Sequence, residues 1–398
     1  MYCTPLIHSP LIHSGMVYKL LFCVSWFFLS SCTSVTNTAL SPAQLKDLLK
    51  QNLVLLPNNE FERLPPFLKK NEIIFVGEFE HHNKSLSLAA GRFAVYIASH
   101  KPVVYALETS YGSHLLFETV SMDCKKTISA TLYTEDMQEF NFNQTEDKKI
   151  LFTAIDIEHS LYNNKKETQH FLHDLASRST SEIARWAINE KVARLTDQDT
   201  FEKVNRYLKK LKKVFLQHSD TFSPEDQDEI LFSMELLKAS NRFYQYIAAG
   251  GLKEALMRPW NIRTKYFIKT IERAYQKAQK RNAILICRVG APHASLTNKY
   301  FEARYFAEKY SPTKGRVSSI GLVPLYYDTH KTNDTVTEEY NDIDSIVKII
   351  MKDNEYSYLS LSELQKNTGN SFKWSKYYSD SGPQYDGLLF VRIERNSN

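Results

Sequence analysis

The ten residues Ile73-Ile74-Phe75-Val76-Gly77-Glu78-Phe79-Glu80-His81-His82 decide how this chain is read. Four apolar residues without alternation describe a strand covered on both faces. The run stops at a glycine, and two acids and two histidines follow at once. A buried strand that delivers polar groups to one edge of a sheet has this form.

The same form recurs down the chain. Residues 102–107, Pro-Val-Val-Tyr-Ala-Leu, are closed by Glu108, and residues 151–155 by Asp156. Residues 283–289 are followed by Gly290-Ala291-Pro292-His293. Between the first two runs, Leu86, Leu88, Ala89, Phe93, Tyr96 and Ile97 fall at helical spacing over 85–99. Strand, helix and strand in that order imply a parallel pair with a right-handed crossover. Residues 317–326, 356–361 and 387–393 supply three later strands. The count is six or seven, largely parallel, so the fold class is α/β with a central, mostly parallel sheet flanked by helices.

Before the first strand, Ser41-Pro42-Ala43-Gln44 carries a cap serine, proline at the first helical position and glutamine at the third. It predicts a helix from Pro42 to about Gln51. From about 160 to 280 the pattern turns to long polar helices over 165–176, 181–195, 200–218, 224–249 and 252–279, a helical insertion in the α/β domain. The basic run Lys209-Lys210-Leu211-Lys212-Lys213 lies here and reads as a solvated helix face, with contact to anionic lipid as the alternative.

The N-terminus predicts a different fate. Residues 20–29 form an apolar run preceded by Lys19, with the length of a signal-peptide core and too short for a transmembrane helix. Leu29-Ser30-Ser31-Cys32 is similar to a bacterial lipobox, in which Cys32 is lipidated. Residues 1–32 are therefore read as a leader, with Met16 as an alternative start to Met1. Residues 33–41 are a polar tether, and 42–398 are the α/β domain. Thr33 is not an aspartate, which favours the outer membrane where the cell has one. The expected location is the cell envelope, with a lipid anchor as the membrane contact.

Lys and Arg number 50 against 45 Asp and Glu, a net charge of +5 to which the leader adds only Lys19. That balance is too weak to argue for nucleic acid. Outside the leader and Cys32, two cysteines remain: Cys124, and Cys287 inside a strand. One pair is no disulfide framework, and Cys287 reads as a buried thiol. His-Glu-x-x-His, Gly-x-Ser-x-Gly, Gly-x-Gly-x-x-Gly and a phosphate-binding loop are all missing from the sequence, so neither a serine nucleophile nor a nucleotide is favoured. His170 and His173 share a helical face, a pattern more typical of a surface pair than of a metal site.

In open parallel sheets, ligands bind outside the carboxyl ends of the strands. Glu78, Glu108, Asp156, His293 and one of His81 and His82 would converge there. That is enough for a general base, an orienting acid and an electrophilic partner.

These residues resemble the superfamily of erythromycin esterase-like proteins, haem-binding ChaN-type lipoproteins and Tiki/TraB-type proteins. Gly77-Glu78-Phe79-Glu80-His81-His82 keeps the Gly, Glu and His of the esterase motif, with Glu80 and His82 in place of its Thr and second Gly. Glu108 and Asp156 match acids at the ends of the family's second and third strands. Arg263 in Asn261-Ile262-Arg263-Thr264-Lys265 matches an active-site arginine, and His293 a second histidine. Tyr385-Asp386-Gly387-Leu388-Leu389-Phe390-Val391 is similar to the closing strand.

The resemblance implies water-mediated hydrolysis of an ester, lactone or amide in a small-molecule substrate. In it His81 is the general base, oriented by Glu78. Glu108 shares that work or binds the attacking water, and Arg263 and His293 stabilise the oxyanion. Asp156, His82 and Glu80 are further candidates, the last two as points of departure from macrolide substrates. No cofactor is expected. The alternatives are a surface lipoprotein that holds haem or a metal, and a metal-dependent peptidase of the Tiki type.

Overall fold

The computed structural model describes residues 40–80, 83–112, 135–159, 161, 165–196, 198–250, 262–298, 301–328, 342–368, 376–379 and 381–395. The leader with Cys32, most of the tether, His81, His82 and Cys124 lie outside the described residues.

The first helix, α1 (Pro42–Asn52), starts as its sequence predicts. Ser41 Oγ accepts from Gln44 N, while Gln44 Oε1 accepts from Ser41 N. A strand the sequence reading lacked, β1 (Leu53–Leu56), follows without a turn. Three short 3-10 segments lead to β2 (Ile73–Glu78), buried throughout. Then come α2 (Lys84–Ala98), β3 (Val103–Ser110), α3 (Glu135–Phe142) and β4 (Leu151–Asp156). The helical block holds α4 (Lys165–Ser177), α5 (Glu182–Val192), α6 (Phe201–Gln217) and α7 (Pro224–Gly250), and α8 (Ile262–Lys280) returns the chain to β5 (Ile284–Gly290). Beyond it lie α9 (Ala291–Ala294), α10 (Glu302–Glu308), β6 (Val317–Asp328), α11 (Ile343–Met351), β7 (Tyr356–Ser360) and α12 (Leu361–Thr368). A two-stranded ribbon, β8 (Tyr378–Ser379) and β9 (Gly382–Pro383), precedes β10 (Gly387–Arg395).

One eight-stranded sheet runs in the order β1-β7-β10-β6-β2-β5-β3-β4. The six strands from β10 to β4 are parallel, and β7 is antiparallel to both of its neighbours. The α/β class holds. The expected neighbours β2 and β3 do not pair, because β5 enters the sheet between them. No local pattern in β2 or β3 could announce an insertion that arrives about 180 residues later in the chain.

The continuous apolar runs are explained by cover on both faces. On one side Ile74, Val76, Tyr105, Ile284 and Ile286 pack with Leu86, Ala90 and Phe93 of α2. On the other, Phe75, Val104, Leu285, Cys287 and Val289 pack with Phe267, Ile271 and Ala274 of α8. Cys287 is a buried free thiol. The last of the predicted inserted helices thus lies on the sheet, and α4–α7 build a third core of their own around Leu172, Leu208, Leu211 and Leu237. Among the described residues, no helix is long and apolar enough to cross a membrane.

Gly77 shows what the glycine of the opening stretch is for. A Cβ there would lie 2.7 Å from Ala294 Cβ and 3.0 Å from Ala291 Cα. Only a bare backbone lets α9 seat against β2, and α9 carries His293. Gly77→Ala should lower stability by about 1–3 kcal/mol through overpacking, read as a shift of the denaturant midpoint. An unchanged midpoint would mean that α9 does not pack this closely.

Candidate functional site

The acids that end the strands do not all enter one cluster. Successive side chains on a strand face opposite ways, so the last position of each strand matters. Glu78 is 5% exposed, and its Oε1 accepts from Arg288 Nε at 2.8 Å. Arg288 also donates to Ser87 of α2, which places this pair on the α2 side of the sheet. Glu108 instead meets Arg263 of α8, on the other side. Glu78 nevertheless lies beside the cluster, because it is in register with Gly290, whose N–H donates to Glu108 Oε2 at 2.6 Å.

Arg263 is the centre of the cluster. It sits on the first turn of α8, above the ends of β3 and β4. Nη2 donates to Glu108 Oε1 and to Asp156 Oδ2, each at 2.6 Å, and Nε to Asp156 Oδ1 at 3.1 Å. Asp156 is 1% exposed. Burial opposes its charge, but Arg263 and then His159 outweigh burial, and its pKa lies well below the usual carboxylate range. Burial likewise opposes the charge on Arg263, and Asp156 and Glu108 overcome it and raise its pKa.

His293 approaches from the third side. α9 is a single turn that starts directly from β5, with Pro292 in its first turn. Tyr385 of the closing motif donates to Ala291 O at 3.0 Å, and Ser319 donates to Ala294 O, so the turn is tied at both ends. His293 Nδ1 bonds Glu302 Oε2 at 2.7 Å. Nε2 then faces Arg263 Nη1 at 3.5 Å and Glu108 Oε1 at 3.6 Å. Phe267 and Phe301 meet the ring edge-on.

A second imidazole lies across the guanidinium. His159 Nε2 bonds Asp156 Oδ2 at 2.8 Å, and Nδ1 bonds the Tyr244 hydroxyl of α7. The segment between is fixed at both ends: His159 N–H donates to Ser110 Oγ at 3.0 Å, and Glu158 N–H to Ser240 Oγ at 2.9 Å. Two histidine–carboxylate pairs, His159–Asp156 and His293–Glu302, therefore flank one arginine. Burial lowers both imidazole pKa values and Arg263 lowers them further, but the acids prevail and both are raised above 6.5.

The remaining predicted residues fall elsewhere. Glu80 accepts from Tyr326 of β6 and from Asn83 Nδ2 at 3.1 Å, and Asn83 Oδ1 caps α2 through Ser85 N and Leu86 N. His173 Nδ1 is bonded to Asn189 Oδ1 at 2.7 Å. Among the described residues, no three His, Cys, Asp or Glu side chains are grouped as a metal site. Sequence reasoning missed His159, Tyr244, Arg288 and Glu302. Arg288 had a signal, a charge inside an apolar strand. His159 had one as well, three residues beyond Asp156.

No family model matches the chain, and neither does any curated protein sequence. Solved structures do. A Bacillus cereus protein aligns with a TM-score of 0.59 and 13% identity, over 88% of this chain and 97% of its own. A histidine-to-asparagine variant of erythromycin esterase EreC, in its open conformation, aligns with a TM-score of 0.56 and 13% identity, over 85% and 97%. The chain has the erythromycin esterase-like fold. A succinoglycan biosynthesis protein shares it, with a TM-score of 0.58 and 13% identity over 88% and 97%. One fold thus spans an erythromycin esterase and a succinoglycan biosynthesis protein, and function must be argued from the site.

The two raised imidazole pKa values set a sign for stability. A group whose pKa is higher in the folded chain stabilises it fully below the unfolded value, here 6.5. That contribution is lost as pH rises through the folded value. Stability should therefore decline as pH climbs above 6.5, and the double variant His159→Gln/His293→Gln should flatten that limb in urea titrations at stepped pH. An equally steep decline in the double variant would remove these histidines as its source. Glu78→Gln should cost about 3–5 kcal/mol by leaving Arg288 buried without its counter-charge, measured by the same titrations at neutral pH.

Proposed function

We propose that the protein is an exported, lipid-anchored hydrolase that uses activated water to cleave an ester, lactone or amide in a small-molecule substrate. One observation carries this reading: Arg263 and His293 meet at 3.5 Å at the carboxyl ends of the parallel strands, with Glu108, Asp156 and Glu302 around them. A buried guanidinium and an imidazole whose pKa its neighbouring acids raise, held side by side, suit a site where negative charge develops on a carbonyl oxygen. The fold shared with erythromycin esterase EreC supports the reaction class.

The steps use this chain's own groups. His81, four residues past Gly77, takes a proton from water as the water oxygen attacks the carbonyl carbon. Glu78, itself fixed by Arg288, stands three residues before His81 in the sequence, and its part is to orient that base. The oxyanion is met by Arg263 and by His293, whose pKa burial lowers but Glu302 and Glu108 raise. As the tetrahedral adduct collapses, the His81 imidazolium returns a proton to the leaving oxygen or nitrogen. Glu108 already binds Gly290 N–H and Arg263, and its part is to hold the guanidinium in place rather than to bind the attacking water. Glu80 and His82 lie nearest in sequence to the base and are the positions to vary for substrate choice.

His81→Ala should lower kcat/KM on a hydrolysed ester by about 10²–10⁴-fold with the melting temperature unchanged. Retained turnover would remove His81 from the mechanism. The screen that finds that ester should run with and without chelator and include peptides and a haem titration. Turnover that survives chelator supports this reading, whereas chelator-sensitive peptide cleavage or haem binding without turnover would replace it. Cys32→Ser should move the expressed protein from the detergent phase to the aqueous phase on Triton X-114 partition. Unchanged partition would overturn the lipid anchor.

A further inference from the structure

The helical block holds a cleft that the proposed hydrolysis does not use. It lies between α5 and α6, with a volume of about 350 Å³. Lys191 and Arg194 at the end of α5 face Lys203, Arg206 and Lys210 of α6, around Tyr207. Arg194 pairs with Glu190, while among the described residues the other four cations form no ion pair.

A solvated helix face explains part of this pattern and no more. It accounts for Lys209, Lys212 and Lys213, which do not line the cleft. It does not explain why two helices turn cations toward the same hollow, where like charges repel and hold back folding. The helix dipole also favours Lys191 and Arg194 at a C-terminus but disfavours Lys203 in the first turn of α6. A local choice made against both terms points to a ligand that reverses them.

We infer that this cleft binds a ligand bearing two or more phosphoryl groups, either a phosphorylated solute or clustered phospholipid headgroups. Lysine ammonium groups supply point charges and the arginine forks supply paired donors to phosphoryl oxygens. Tyr207 and Leu211 give the cleft an apolar wall. The lipid source has a reason of its own: on the same helix α5, outside the cleft lining, Ile183 and Trp186 are 75% and 68% exposed, and exposed apolar and aromatic side chains suit a membrane interface.

Binding of tripolyphosphate, measured by calorimetry at low ionic strength, tests the solute source on the full-length protein. Co-sedimentation with phosphatidylglycerol–phosphatidylcholine vesicles, against phosphatidylcholine alone, tests the lipid source. Lys203→Gln/Lys210→Gln removes two cleft charges, and Lys209→Gln/Lys213→Gln removes two outside it. The cleft pair should weaken whichever probe binds by about tenfold or more, or about 1.4 kcal/mol, and the outside pair by less than about twofold. Lys191→Gln/Arg206→Gln should repeat the loss from both walls of the cleft. Binding of neither probe, or equal losses in the inside and outside pairs, overturns the inference. Hydrolysis should be unchanged in all three variants, so this test is independent of the site around Arg263.

Discussion

The guanidinium of Arg263 is the one charge on which the strand ends depend. It enters from α8 and bonds the acid that ends β4 and the acid two residues before the end of β3 at the same time. Glu108, so held, accepts from Gly290 and fixes the end of β5. Burying such a group costs several kcal/mol of lost hydration, which is recovered only when its donors are filled. Two carboxylates fill the Nε and Nη2 donors here, and Nη1 faces His293. Removing either acid would leave a buried cation under-paired, so these strand ends act as a unit rather than as separate contacts.

That dependence explains the rest of the arrangement. His293 can face Arg263 only because α9 presses against the bare backbone of Gly77 and because Tyr385 holds its first turn. His159 reaches Asp156 only because Ser240 and Tyr244 of α7 hold the segment after β4. The helical block is thus structurally tied to the sheet edge. Glu78 and Arg288 form a second buried ion pair on the opposite face of the same strands, so charge is fixed on both sides of the β2–β5 seam.

Much of this was legible in the sequence, for a physical reason. Buried parallel strands are continuous apolar runs, and Glu, Asp and His where they stop are conspicuous, so Glu78, Glu108, Asp156 and His293 stand out in the sequence alone. The same continuity hides the face. Without alternation, nothing in 73–78 or 103–108 says that Glu78 turns toward α2 and Glu108 toward α8. Strand order was hidden too, because β5 reaches its place between β2 and β3 through long-range pairing. β1 was hidden by following α1 without a turn residue. Glu302 lies on a short helix, and only the fold brings it under the ring of His293.

The central claim is that one guanidinium couples both histidines. Titration of the imidazole ¹⁵N resonances in the parent and in Arg263→Gln tests this most directly. Arg263 lowers the pKa of both His159 and His293, so its removal should move both titrations to higher pH together. If one histidine shifts and the other does not, or if neither moves, the two histidine–carboxylate pairs do not share a centre and the account fails.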